Sequence, residues 1–250
     1  MTTTGLRRFL EPAPELAPAD GRQRCELCAE PVGERHGHVV NLESRALQCA
    51  CRACHLLFTV EDPDRRPEGR FRSVPERYLH TPAFRLTEAD WTALRIPVRM
   101  AFFFTNSALG QTVAFYPSPG GATESTLSQV VWDRVLRANP ELPIARPDVE
   151  ALLIDRRADG FACHLVPIDA CYELVGLIRL TWTGFAGGQE AWDAIDAFFT
   201  ALRQRGGTSS AERELLHDHT RGGPSSRRDH AEVLRPRAGH GAAREEADRG

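Results

Sequence analysis

Apolar and polar positions divide the chain into folded stretches and polar segments. Residues 1–20 are rich in proline and predict a flexible leader, whereas 61–75 are charged, contain prolines and show no periodicity, as is typical of a linker. Large apolar side chains become rare over 205–250, so this tail has too little apolar surface to offset its ordering entropy and is predicted to be disordered. Two folded units are therefore expected, at 21–60 and at 76–204.

The second unit mixes helical and strand periodicity. Thr87 followed by acidic residues predicts a helix N-cap. Strand patterns cover 96–105, 111–116, 149–155 and 161–166, and helical spacing covers 126–138, 169–182 and 191–202. The segment from Ile168 to Trp182 also alternates in part like a strand, but a helix beginning at Asp169 is favoured. This element order predicts an α+β domain with a small, mostly antiparallel sheet and packed helices.

The first unit holds five of the seven cysteines, and four of them form two pairs. Cys25 and Cys28 are separated by two residues, as are Cys51 and Cys54, with 22 residues between the pairs. A two-residue spacing lets one turn aim both sulfurs at a single ion, and two such turns complete a tetrahedron. A hairpin turning at Glu43 would bring the two pairs together. The pattern predicts a zinc-ribbon-like module over 21–60, with the metal supplying much of its folding energy.

The spacing leaves the metal open between zinc and iron. A closed four-cysteine site has no position for a substrate, which favours structural zinc. The same thiolates can hold iron, alone as in rubredoxin-like centres or in an iron–sulfur cluster, and the module would then be an electron carrier. Other residues near the four cysteines are alternative ligands: Cys49, His36, His38 and His55.

Composition narrows the classes of partner and reaction. The net charge is −3 and all 31 basic residues are arginine, so lysine-dependent Schiff-base and P-loop chemistry is excluded. Segment 21–60 has five arginines and four acids, a small surplus for binding phosphates, so a nucleic-acid-binding ribbon is a minor alternative. Neither a bilayer-spanning apolar run nor a signal-peptide core is found, so the expected location is the cytoplasm, away from membranes.

The second unit offers no catalytic signature. The motifs GxSxG, HExxH and GxGxxG are missing. Cys163 and Cys171 are expected to be core thiols, and His164 follows Cys163 on a strand, so their side chains should point to opposite faces. Asp169 is expected to be a helix N-cap. A non-enzymatic role is therefore favoured, and an enzyme of unrecognised type is the alternative.

Several segments together resemble a known family. CELC and CACRACHLLF are followed by YLHTPAF, IPVRMAFFF, IDACYELVGLIRLTWTGFAGG and WDAIDAFF. Over about residues 21–204 the chain resembles an uncharacterised actinobacterial family, often encoded beside genes for high-affinity [NiFe] hydrogenases. The resemblance implies no activity and no catalytic residue. It implies a partner, since such a protein would assist the assembly, maturation or electron transfer of a hydrogenase through protein–protein contacts.

Overall fold

The computed structural model describes residues 23–59 and 69–208. The predicted leader, residues 21, 22 and 60 of the predicted module, residues 61–68 of the predicted linker and most of the predicted tail lie outside these ranges. In chain order the elements are β1 (Gly37–Asn41), β2 (Ala46–Ala50), α1 (Arg52–Leu57), β3 (Phe71–Ser73), β4 (Leu79–Thr81), α2 (Glu88–Ala93), β5 (Met100–Asn106), β6 (Gln111–Ser118), β7 (Gly121–Ser125), α3 (Gln129–Ala138), β8 (Glu150–Arg157), β9 (Gly160–Pro167), α4 (Ile168–Thr181), α5 (Gly188–Arg205) and β10 (Gly207–Thr208). The predicted α+β class is confirmed.

A seven-stranded sheet forms the centre of the molecule, in the order β10-β4-β9-β8-β5-β6-β7. Its pairs are antiparallel except for the two-residue contact between β10 and β4. Helices cover both faces, and Phe102 and Phe103 show the division because adjacent strand residues point to opposite sides. Phe102 packs in a core with α4 and α5, whereas Phe103 stacks on Trp132 of α3 at 4.3 Å between ring centroids. Two-sided burial explains the nearly continuous apolar runs of β8 and β9.

Local signals located most helices correctly. Thr87 caps α2, and its side chain accepts a hydrogen bond from the Asp90 N–H at 3.1 Å. The segment after Pro167 is a helix, as favoured over a strand. Helical spacing over 126–138 places Val130 with the apolar positions of α3, but Val130 is 76% exposed and the buried side chains of this helix are Trp132 and Val135.

One hairpin strand was missed. The predicted strand ends at residue 116, yet β6 extends to Ser118 and a tight turn leads directly into β7. Pro117 fits here because the ladder to β5 ends at the pair of Phe102 with Phe115. A proline without an N–H donor is tolerated where no neighbouring strand requires one.

A second, smaller sheet has the order β2-β1-β3. β3 lies within the segment predicted to be a linker. It pairs with β1, where Phe71 is opposite Asn41, so these residues form a strand and not an aperiodic linker. Each face of this sheet has its own neighbour. Val39 packs with Cys25 and Ala50, whereas Val40 belongs to the core formed by α4, α5 and the large sheet. One face of the module's sheet is therefore part of the hydrophobic core of the α+β domain.

Ion pairs strengthen the junction between the two units. Arg72 of β3 donates to the Asp148 carboxylate at 2.9 Å and to the Pro147 carbonyl at 2.7 Å. Just after β3, Arg77 forms a bidentate pair with Glu150, with both nitrogen–oxygen distances at 2.8 Å. Glu150 is fully buried at the start of β8, so this pair joins the connecting chain to the central sheet.

Arg77→Met should destabilise the protein by about 3–5 kcal/mol, because the Glu150 carboxylate would stay buried without its partner. Urea unfolding monitored by circular dichroism would measure the loss. Arg134→Met is the matched control, since Arg134 pairs with Asp90 at the surface and its removal should cost less than about 1 kcal/mol. Equal losses in the two variants would contradict the importance of the buried pair.

His164 should make stability fall at acidic pH. Burial, followed by repulsion from the positive charges of His80, Arg203 and Arg157, lowers the pKa of His164 to about 3. The unfolded chain takes up the proton near pH 6.5, so stability is complete above that pH and is lost toward pH 3, by about 1.4 kcal/mol per unit. Between pH 7 and pH 5, wild-type protein should therefore lose about 2 kcal/mol more unfolding free energy than His164→Leu. The prediction would be contradicted if urea unfolding showed the same change in unfolding free energy between pH 7 and pH 5 for wild-type protein and His164→Leu.

Candidate metal centre

The first cysteine pair lies in a tight turn before the small sheet. The Ala29 N–H donates to the Cys25 carbonyl at 2.8 Å, and the Cys25 N–H donates to the Glu30 carbonyl at the same distance. Ala29 adopts φ 63, the left-handed conformation that reverses the chain. The turn leaves Cys25 buried and Cys28 exposed, so the site has one face in the small core and one toward solvent.

The second pair is held by a short helix. Cys51 is the N-cap of α1, and the His55 N–H donates to the Cys51 carbonyl at 2.9 Å. Cys54 follows three residues later, a spacing that places two side chains on one side of a helix. Because β2 ends at Ala50, the hairpin delivers this pair directly beside the first turn.

The four sulfurs lie close enough to bind a single ion. The ligand atoms of Cys25, Cys28, Cys51 and Cys54 are all within 4.8 Å of one another. Cys28 Sγ and Cys51 Sγ are 3.7 Å apart. A tetrahedron with metal–sulfur bonds of about 2.3 Å has sulfur–sulfur edges of about 3.8 Å, so this distance fits. The group can bind a metal ion.

Within the group, the pKa values of Cys25 and Cys54 are shifted in opposite directions. Burial opposes ionisation of Cys25, but hydrogen bonds from the Cys51, Leu27 and Cys28 backbones outweigh it and lower the pKa to about 6. The pKa of Cys54 is raised to about 12, first by the hydrogen bond with Cys28 and then by burial and the other sulfurs. A negative charge on one sulfur thus makes ionisation of a neighbouring thiol less favourable. A bound cation would offset this repulsion between thiolates.

The alternative ligands fall into two categories. His36, His38 and Cys49 form a second group, with ligand atoms within 4.8 Å of one another. His55 belongs to neither group found among the described residues, and its Nε2 lies 2.9 Å from the Val74 carbonyl oxygen. Its ring also packs against Gly37, where an added Cβ would come within 2.6 Å. His55 therefore holds the small sheet to the chain after β3.

Glu26 and Asp169 were not recognised from sequence as parts of this region. The Cys49 N–H donates to Glu26 Oε2 at 2.6 Å, and the Glu26 N–H donates to the Cys49 carbonyl at 2.9 Å. Burial, followed by the charges of Glu26 and Cys25, raises the pKa of Cys49. Asp169 was expected to be a helix N-cap, but Pro167 occupies that position and the Asp169 carboxylate lies 2.8 Å from His38 Nδ1.

The two cysteines outside the first unit are core thiols, as predicted. Cys163 and Cys171 are fully buried on opposite sides of the central sheet, and burial raises the pKa of each thiol. His164 points away from Cys163, toward Phe199 of α5, so the two side chains do not meet. Across the described ranges, no helix is long and apolar enough to cross a membrane.

Cys51→Ser should lower the affinity of the four-cysteine group for its metal by at least about 100-fold, since even outer-shell partners of metal ligands typically contribute 10–100-fold. Metal retained after dialysis against graded chelator concentrations would measure the change. Cys171→Ala is the control, because it removes a buried thiol outside the group. Retention that is unchanged in Cys51→Ser would contradict the assignment of this residue as a ligand.

Comparison with known proteins places nearly the whole described region in one family. A family model described as "Family of unknown function (DUF5947)" matches residues 24–206, which include both ligand groups and every strand of the large sheet except β10. Searches of the curated proteins and of the solved structures found no match. The predicted membership of an uncharacterised family is confirmed, whereas its association with hydrogenase genes stays a prediction. The chain belongs to the DUF5947 family.

Proposed function

We propose that the protein is a non-enzymatic accessory factor in which zinc bound by Cys25, Cys28, Cys51 and Cys54 supports a rigid docking module. The observation that carries this proposal is the closure of the site. Four protein sulfurs within 4.8 Å fill a tetrahedral ion and leave no position for a substrate. Such a site stabilises a structure and has no direct part in a reaction.

The small core of the module supports a structural role for the metal. Its buried apolar residues are Cys25, Val39 and Ala50, with a few partly buried neighbours. This is too little apolar surface to hold two cysteine turns in place. Metal binding would supply the missing free energy, as in zinc modules that unfold without their ion.

The module also presents apolar surface beside the metal group. Leu56 and Leu57 of α1 are 58% and 75% exposed, and the same helix contains Cys54 and begins after Cys51. The metal would therefore fix the position of these two leucines. Adjacent exposed leucines on a rigid element favour contact with an apolar patch on another protein.

For the partner we propose a [NiFe] hydrogenase or a protein of its maturation machinery, with the encounter in the cytoplasm. The support for this choice is the family resemblance described above, which implies a genomic association and no chemistry. The apolar pair on α1 supports a protein partner of some kind. A net charge of −3 supplies little attraction for nucleic acid.

The metal is tested on full-length protein purified without oxygen and dialysed against a chelator. Elemental analysis should give one retained zinc ion per chain, and the absorption spectrum should be featureless in the visible range. Retained iron with visible charge-transfer bands that bleach on reduction would contradict the zinc proposal. It would identify an electron carrier instead.

The docking surface is tested by charge substitution. Leu56→Glu combined with Leu57→Glu should reduce binding to purified [NiFe] hydrogenase from the same organism by at least about tenfold, because a charge would face an apolar contact. Biolayer interferometry would measure the affinity. Leu180→Glu is the matched control, since Leu180 is an exposed leucine on α4, far from α1 in the chain. Equal binding by both variants, or no binding by wild-type protein, would contradict this partner and surface.

A further inference from the structure

We propose that His36, His38 and Cys49 form a second metal site, separate from the four-cysteine group and open at one coordination position. Their ligand atoms all lie within 4.8 Å of one another. The ion would be a divalent transition metal that accepts imidazole and thiolate, such as Zn²⁺, Co²⁺, Ni²⁺ or Cu²⁺. The proposal does not depend on the function proposed above.

The strand register brings the three side chains together. His38 of β1 is directly opposite Cys49 of β2 in an antiparallel pair, so both side chains project from the same face. His36 lies two residues before His38, and its ring centroid is 4.9 Å from that of His38. Val39 and Ala50 project from the other face and pack with Cys25. The two groups of ligands therefore belong to different faces of one hairpin.

Each histidine is oriented as a metal ligand requires. His36 Nδ1 lies 2.7 Å from the Gly33 carbonyl oxygen, which can only accept, so Nδ1 donates and Nε2 keeps a lone pair. His38 Nδ1 lies 2.8 Å from Asp169 Oδ2, which leaves its Nε2 available in the same way. Metal-bound histidines typically donate their other N–H to a carbonyl or carboxylate.

The buried Nε2 of His36 is the observation that most strongly favours a ligand. This atom is inaccessible to solvent and has no hydrogen-bond partner among the residues that the structure describes. A buried imidazole nitrogen without a partner is costly, and a bound cation would satisfy it. An interface ion pair between His38 and Asp169 would explain His38 but not the unpaired nitrogen of His36.

The third ligand is fixed by the turn of the first cysteine pair. Glu26 binds the backbone of Cys49 through both its carboxylate and its N–H, at 2.6 and 2.9 Å. The Cys49 side chain is half-buried. On binding, the Cys49 thiol would release its proton to solvent and the thiolate would bond to the metal.

Three protein ligands leave a fourth position for a small molecule. Zinc sites with three protein ligands are typically of this open kind. The next pair on the same face of the hairpin, Val40 and Leu47, lines a cavity of about 100 Å³ together with Ile168 and Tyr172. The cavity lies between the small sheet and α4, and its lining begins with the pair that follows His38 and Cys49 on that face.

The test uses full-length, zinc-loaded protein after chelator dialysis, titrated with Co²⁺ and followed by visible absorption and equilibrium dialysis. Wild-type protein should bind one additional Co²⁺ per chain with a sulfur-to-cobalt charge-transfer band, and azide should shift its visible bands. His36→Gln and Cys49→Ser should each lose this ion and keep the zinc. Asp169→Asn should weaken Co²⁺ binding by about 10–100-fold.

His80→Gln is the matched control, since His80 lies on β4, outside both ligand groups, and should leave Co²⁺ binding unchanged. Zinc measured on the same samples shows that the module is folded and reports on the first site separately. The proposal is overturned if no additional Co²⁺ binds. It is equally overturned if His36→Gln and Cys49→Ser bind Co²⁺ as wild-type protein does, because the ion would then occupy another site.

Discussion

The small three-stranded sheet has two faces, and each must be buried against a different neighbour. One face, with Val39 and Ala50, packs on the turn that contains Cys25. The other face, with Val40 and Leu47, packs against the core of the α+β domain. Apolar stabilisation scales with the area removed from water, so both contacts contribute to holding the sheet in place. The positions of the cysteine turns, of α1 and of both ligand groups follow from this arrangement.

Local patterns predicted the parts of the structure that depend on neighbours in sequence. The turn at Glu43 and Ser44 fixed the register of the first hairpin, and the two cysteine pairs came together as their spacing indicated. Thr87 and the long helices followed from capping and periodicity. The same hairpin register already implied that His38 and Cys49 are directly opposite one another. Because side chains alternate between the two faces of a strand, this register could have shown that His38 and Cys49 lie on the face away from the four cysteines.

Contacts between distant segments were beyond such patterns. β3 contains a single large apolar residue, Phe71, and its partner strand is about thirty residues earlier, so nothing local predicted pairing. His38 and Asp169 are separated by 131 residues, and only the packing of α4 on the small sheet makes them neighbours. The buried face of α3 was likewise decided by Phe103, on which Trp132 stacks, and not by the helical spacing itself.

The central position of β1 in the small sheet has a consequence for how this protein can be divided. A fragment ending near residue 60 would keep every cysteine of the module but lose β3, and one edge of β1 would be left without hydrogen-bond partners. Val40 would also lose its cover. Exposed strand edges with apolar side chains invite pairing with other chains and aggregation. The module is therefore poorly suited to transfer between proteins as an independent cassette, and it can be inherited only together with the domain that covers it.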